Sequence, residues 1–117
     1  MHSTDPAFAM TPEQLRGHAG QACALLKALA NEDRLMLLCQ IASRQRLNVS
    51  ELESATGIRQ PTLSQQLAVL RQEGLVETEK EGKYVFYRLA NEDVVSIMQT
   101  LWNIYCAPTA SSDPHRT

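Results

Sequence analysis

Apolar residues recur with a helical period over most of residues 11–106, broken by one stretch of strand character. Leu15, Ala19, Ala22, Leu26 and Leu29 follow three- and four-residue steps and predict a first helix with one apolar stripe. Thr11-Pro12-Glu13 marks its start: a capping hydroxyl, a proline where no N–H is needed, and an early acid. A second helix is predicted over about 31–43, with Leu35, Leu38, Cys39 and Ala42 on one face. Asn48, with Glu51 three residues on, forms a capping box for a third helix. Gly57 stops that helix, because glycine accepts the left-handed exit conformation. Pro61 restarts the chain at a first helical turn, and Leu63, Leu67 and Leu70 predict a fourth helix that Gly74 closes. Two strand-like runs, 75–80 and 83–89, follow around a Glu81-Gly82 turn, and a last helix is predicted over about 91–105.

Helix, tight turn, helix, hairpin is the order of a winged helix-turn-helix. The fold class expected is therefore mostly α, about five helices, with a β-hairpin wing. The face of the fourth helix opposite its leucines carries Gln60, Thr62, Ser64, Gln65, Gln66 and Arg71. These amides and hydroxyls suit base edges in a major groove, glutamine pairing well with adenine. Lys80 and Lys83 place positive charge on the wing. These eight residues are the candidate DNA contacts.

The last helix is unusually apolar. Val94, Ile97, Met98, Leu101, Ile104 and Tyr105 make one broad stripe, and Val95, Trp102 and Cys106 a second. Two stripes imply two burial partners, the helix's own domain and another chain, so a homodimer is expected. Its interface is assigned to Leu15, Val94, Ile97, Met98, Leu101, Trp102 and Tyr105. A two-fold dimer would set two recognition helices about 34 Å apart on near-palindromic operator DNA.

At 117 residues the chain is expected to be one domain, 12–106, between disordered tails at 1–11 and 107–117, with Met10 an alternative start. No apolar run approaches the ~20 residues that span a bilayer, and no signal-peptide pattern opens the chain. A cytoplasmic protein with no membrane contact is expected, its three cysteines reduced, metal-binding or redox-sensing. The formal charge of −2 is unusual for a nucleic-acid binder, yet Arg44, Arg46, Arg59, Arg71, Lys80, Lys83 and Arg88 gather in the half assigned to DNA. Glu77, Glu79 and Glu81 on the wing oppose them and predict weak non-specific affinity. With no C-x-x-C and no nucleophile–base constellation, neither an enzyme nor a cofactor is expected.

The segment QPTLSQQLAVLRQEGLVETEKEGKYVFYRL resembles the recognition helix and wing of the ArsR/SmtB family of bacterial repressors, and LLKALANEDRLMLLCQI resembles its second-helix entry. The likeness spans about 13–106. It implies a dimeric, operator-binding repressor. Where metal-sensing members carry two cysteines, this chain has Asn48 and Ser50, and its last helix has no histidine, so no metal site is expected in either usual place. By composition alone Cys39 reads as a small core residue. Resemblance to the BigR/SqrR-type branch, in RLMLLCQI, QPTLSQQL and LWNIYC, supplies the other reading: Cys39 and Cys106 as a dithiol that senses reactive sulfur species (persulfide or polysulfide) or oxidants and releases DNA when bridged. The two are then expected near each other, yet beyond comfortable disulfide range. Cys23 reads as packing. The alternative is an ArsR-type repressor answering to a metal ion or small molecule at an unrecognised site.

Overall fold

A computed structural model of the chain describes residues 10–105. The expected tails, apart from Met10 and Thr11, lie outside the described residues, as does Cys106. The element order is α1 (Pro12–Leu29), α2 (Glu32–Arg44), β1 (Leu47–Asn48), α3 (Val49–Thr56), α4 (Thr62–Gln72), β2 (Val76–Glu81), β3 (Tyr84–Leu89) and α5 (Glu92–Tyr105).

Local chemistry sets the helix ends. Thr11 and Gln14 form a capping box on α1, each side chain accepting the other's backbone N–H, at 3.1 and 2.9 Å. Asn48 and Glu51 do the same for α3, at 2.8 and 2.9 Å. Asn31 caps α2 by accepting the Arg34 N–H at 3.0 Å. Gly57 takes φ 76° and returns its N–H to the Glu53 carbonyl, which ends α3 and opens the tight turn into α4. Pro61 stands just before α4 as its cap, and the Gln60 side chain accepts the Ser64 N–H at 3.0 Å.

The core is a leucine-rich cluster at the meeting of the five helices and the sheet. Leu37, Leu38 and Ile41 of α2, Leu52 of α3 and Leu63, Leu67 and Leu70 of α4 are all but inaccessible. Leu47, Leu75, Val76, Val94 and Met98 close it. The expected α2 face is thus displaced: Leu38 is buried, Leu35 and Cys39 pack at the edge, Ala42 is exposed, and Leu37 and Ile41 take the centre. α2 packs on α1, α3, α4, α5 and the sheet, so no single stripe describes it.

α1 departs further. Leu15, Ala19, Ala22 and Leu26 are exposed, and only Leu25, Ala28 and Leu29 in its last turns reach the core. In α5 the core side is Val94, Met98 and, partly, Leu101. Val94 and Met98, expected at a dimer interface, are a correction: at 5% and 2% exposure each is spent on the chain's own core.

The sheet is antiparallel in the order β1-β3-β2. β1, too short for a sequence signal, pairs Leu47 with Tyr87 and Asn48 with Phe86. Glu81 pairs with Tyr84, so the wing turn is Gly82-Lys83, one residue later than expected. Gly82 takes the positive φ, 63°, that a two-residue hairpin turn demands.

Candidate nucleic-acid interface and thiol site

α4 is seated by its leucines and presents its other side outward. Gln60, Ser64, Gln65 and Arg71 are exposed and Thr62 is half-buried. Gln66 differs from its neighbours: its side-chain oxygen accepts from Arg34 Nη1 at 2.9 Å, and the contact is part-buried. Lys80 and Lys83 are exposed on the wing, where Lys83 Nζ lies 5.6 Å from the centroid of the Tyr84 ring.

The wing glutamates do not stand unopposed. Arg46, from the link between α2 and β1, donates to Glu79 at 2.7 Å and to Glu81. Its guanidinium lies 4.0 Å from the centroid of the Phe86 ring, stacked as a cation over a π face. Arg88 reaches Glu79 at 3.2 Å and Glu77 at 3.5 Å. The hydrogen bond to Glu81, then the charges of Glu81 and Glu79, raise the Arg46 pKa above its ordinary value despite some desolvation. Within the wing Lys80, Lys83 and Arg88 balance Glu77, Glu79 and Glu81, and Arg46 from the link before β1 adds one positive charge, so the glutamates do not make a negative patch.

Pairing across the hairpin is what brings these charges together. Glu79 stands opposite Phe86 and Glu77 opposite Arg88, and β1 holds the chain beside Arg46 against β3. Arg34 is a functional candidate for which the linear pattern had no signal, and Arg46, counted there only as part of the basic half, gains its partners from the fold. Each reaches acceptors more than 30 positions away in sequence.

On the far side of α2, Cys39 is half-buried. With Ala42, Ser43, Met98, Gln99 and Trp102 it lines an open cavity of about 220 Å³ between α2 and α5. Trp102 is four positions before Cys106 in sequence. The expected spacing of the two thiols lies outside the described residues. Cys23 is exposed on α1, not packed as expected. Asn48 is committed to its capping box and Ser50 is exposed.

Leu15, Trp102 and Tyr105 of the expected interface are exposed, at 57%, 42% and 71%, together with Leu26 at 60%. Ile97 and Leu101 are half-buried. Both helices thus keep apolar surface that the single chain leaves uncovered.

Residues 31–78 match the model of the family described as bacterial regulatory protein, arsR family. Over 90 residues the chain is 49% identical to the biofilm growth-associated repressor of Agrobacterium fabrum, covering 77% of this chain and 76% of that one. The chain belongs to the ArsR family. Its winged helix-turn-helix is similar to the solved structure of the transcriptional repressor BigR from Xylella fastidiosa, with a TM-score of 0.72 and 44% identity over 84% of this chain and 99% of that one. A homodimeric winged helix-turn-helix DNA-binding domain from Mycobacterium bovis, a possible ArsR-family regulator, is similar at a TM-score of 0.71 and 29% identity, over 94% of this chain and 98% of that one. As an ArsR-family member the protein is a transcriptional regulator and not an enzyme. Among the described residues, no helix is long and apolar enough to cross a membrane.

Proposed function

We propose that this ArsR-family protein is a homodimeric repressor that binds near-palindromic operator DNA and releases it when reactive sulfur species bridge Cys39 and Cys106. The observation that carries the sensing half is the placement of Cys39. It lines a cavity shared with Trp102 of α5, one helical turn of sequence short of Cys106. The resemblance to repressors of the BigR type supports the DNA half. Exposed apolar residues on α1 and α5, together with a homodimeric relative, support the dimer.

In this reading Thr62, Ser64 and Gln65 face base edges, Gln60 and Arg71 flank them, and Lys80 and Lys83 meet phosphates. The chemistry balances with the persulfide as oxidant. Each cysteine thiolate attacks the outer sulfur of one persulfide, releasing its thiol and leaving a cysteine persulfide. The terminal sulfur of one cysteine persulfide then attacks the inner sulfur of the other and expels sulfide. Two thiols and two persulfides yield a three-sulfur bridge, one sulfide and two thiols. Such a bridge ties α2 to the end of the chain's last helix. A coupling of about 2 kcal/mol would shift operator affinity some thirtyfold.

Persulfide treatment followed by intact and peptide mass spectrometry, with a mobility-shift assay in parallel, tests the reading. A Cys39–Cys106 crosslink carrying extra sulfur and loss of the DNA complex are expected, and Cys23→Ser should preserve both. Cys39→Ser should bind DNA and not let go. A Cys39→Ser protein that still releases DNA on persulfide treatment would refute the dithiol.

A further inference from the structure

Arg34 occupies a junction that neither the DNA contacts nor the thiols account for. It sits in the first turn of α2, where its backbone N–H satisfies the Asn31 cap at 3.0 Å. Its side chain turns back onto the end of α1. Nε donates to the Ala28 carbonyl at 2.6 Å and Nη2 to the Lys27 carbonyl at 3.2 Å. These are carbonyls of the last helical turn, where the dipole favours a cation; the Lys27 carbonyl also accepts the Ala30 N–H at 3.2 Å. The remaining branch, Nη1, donates to Gln66 Oε1 of α4 at 2.9 Å. One planar guanidinium therefore holds the end of α1 and the flank of the recognition helix at once.

The consequence follows from how each helix is otherwise held. α1 touches the core only through Leu25, Ala28 and Leu29, beside the carbonyls that Arg34 binds. α4 is seated by Leu63, Leu67 and Leu70, whose burial is strong and without direction. Packing limits rotation about the helix axis but is not directional, and a hydrogen bond of defined geometry adds a directional restraint to it. Side-chain tips stand roughly 5–6 Å from a helix axis, so a rotation of about 10° moves a tip about 1 Å. That displacement is enough to lose a base contact.

We propose that Arg34 is a positioning residue that couples α1 to the rotation of α4, and that Gln66 is its docking point on the recognition helix, not a reader of bases. Whatever fixes α1 against a second copy of the chain then also sets the angle at which Thr62 and Gln65 meet DNA. The inference rests on the dimeric DNA-binding reading and is independent of any sulfur chemistry.

The test uses the full-length reduced protein, with no sulfur species present, and a duplex selected from a randomised pool. The readout is discrimination: affinity for the selected duplex over affinity for a scrambled one, with unfolding temperature measured alongside. Arg34→Lys keeps the charge but cannot span three acceptors in a fixed plane. It and Gln66→Ala should each lower discrimination about tenfold, and the double variant no further than the worse single one. Gln66→Glu keeps an acceptor for Arg34. It should weaken binding to both duplexes alike while retaining discrimination that Gln66→Ala loses. Additive losses, or a Gln66→Glu protein that discriminates no better than Gln66→Ala, overturn the coupling and leave DNA binding standing. A wild-type protein that prefers no duplex overturns the DNA reading, and this inference with it.

Discussion

The two faces of α4 should separate stability from recognition, and a pair of single changes measures the separation. Leu67 is 1% exposed in the core, while Gln65, two positions earlier, is exposed on the opposite side. Leu67→Ala removes a side chain the surrounding leucines cannot fully replace, and such changes cost about 2–5 kcal/mol. Against a total near 5–15 kcal/mol for a domain this size, that is a large fraction. It corresponds to a fall in unfolding temperature of about 4–8 °C for each kcal/mol lost. Gln65→Ala deletes only solvated atoms and should change stability by less than about 0.5 kcal/mol. Its effect on discrimination between selected and scrambled duplexes should instead be about 1–3 kcal/mol. Thermal unfolding at fixed protein concentration, because a dimer's stability depends on it, and fluorescence anisotropy at fixed salt read the two quantities. A Gln65→Ala protein that loses several degrees of stability while its discrimination stays intact would show that α4 is docked the wrong way round.

Two further outcomes are expected. Arg46→Ala frees Glu81 on the wing, leaves Glu79 to Arg88 alone and should weaken binding to every duplex; the deficit should shrink with added salt, as the Debye length falls from about 30 Å at 10 mM to 10 Å at 100 mM. Equal affinity of variant and wild type at 10 mM salt would contradict the role given to this arginine. Leu26→Asp places a charge on the exposed apolar face of α1 and should turn the dimer into a monomer with little loss of unfolding cooperativity; sedimentation velocity at micromolar concentration would refute the assigned face by returning an unchanged dimer.

What the sequence determines here is local. Capping boxes at Thr11 and Asn48, the left-handed exit at Gly57 and the leucine spacing of α4 each depend on residues within one or two helical turns. They mark the helices, the tight turn and the outward face of the recognition helix. Tertiary structure decides the rest, because the deciding contacts join positions far apart in the chain. Periodicity finds apolar residues on α1 and α5 but does not say which of them their own domain consumes. The fold spends Val94 and Met98 on its core and leaves Leu15, Leu26 and Trp102 outside. It makes α2 a central helix, with Leu37 and Ile41 where a single-stripe reading puts Leu35 and Ala42. Charge counting along the wing finds three acids at alternate positions, and only strand pairing and the loop before β1 bring Arg46 and Arg88 against them. Arg34 shows the same limit most clearly. Its identity and its place in a first helical turn are plain in the sequence, while its one long-range partner, Gln66, meets it only because α1 ends where α4 passes.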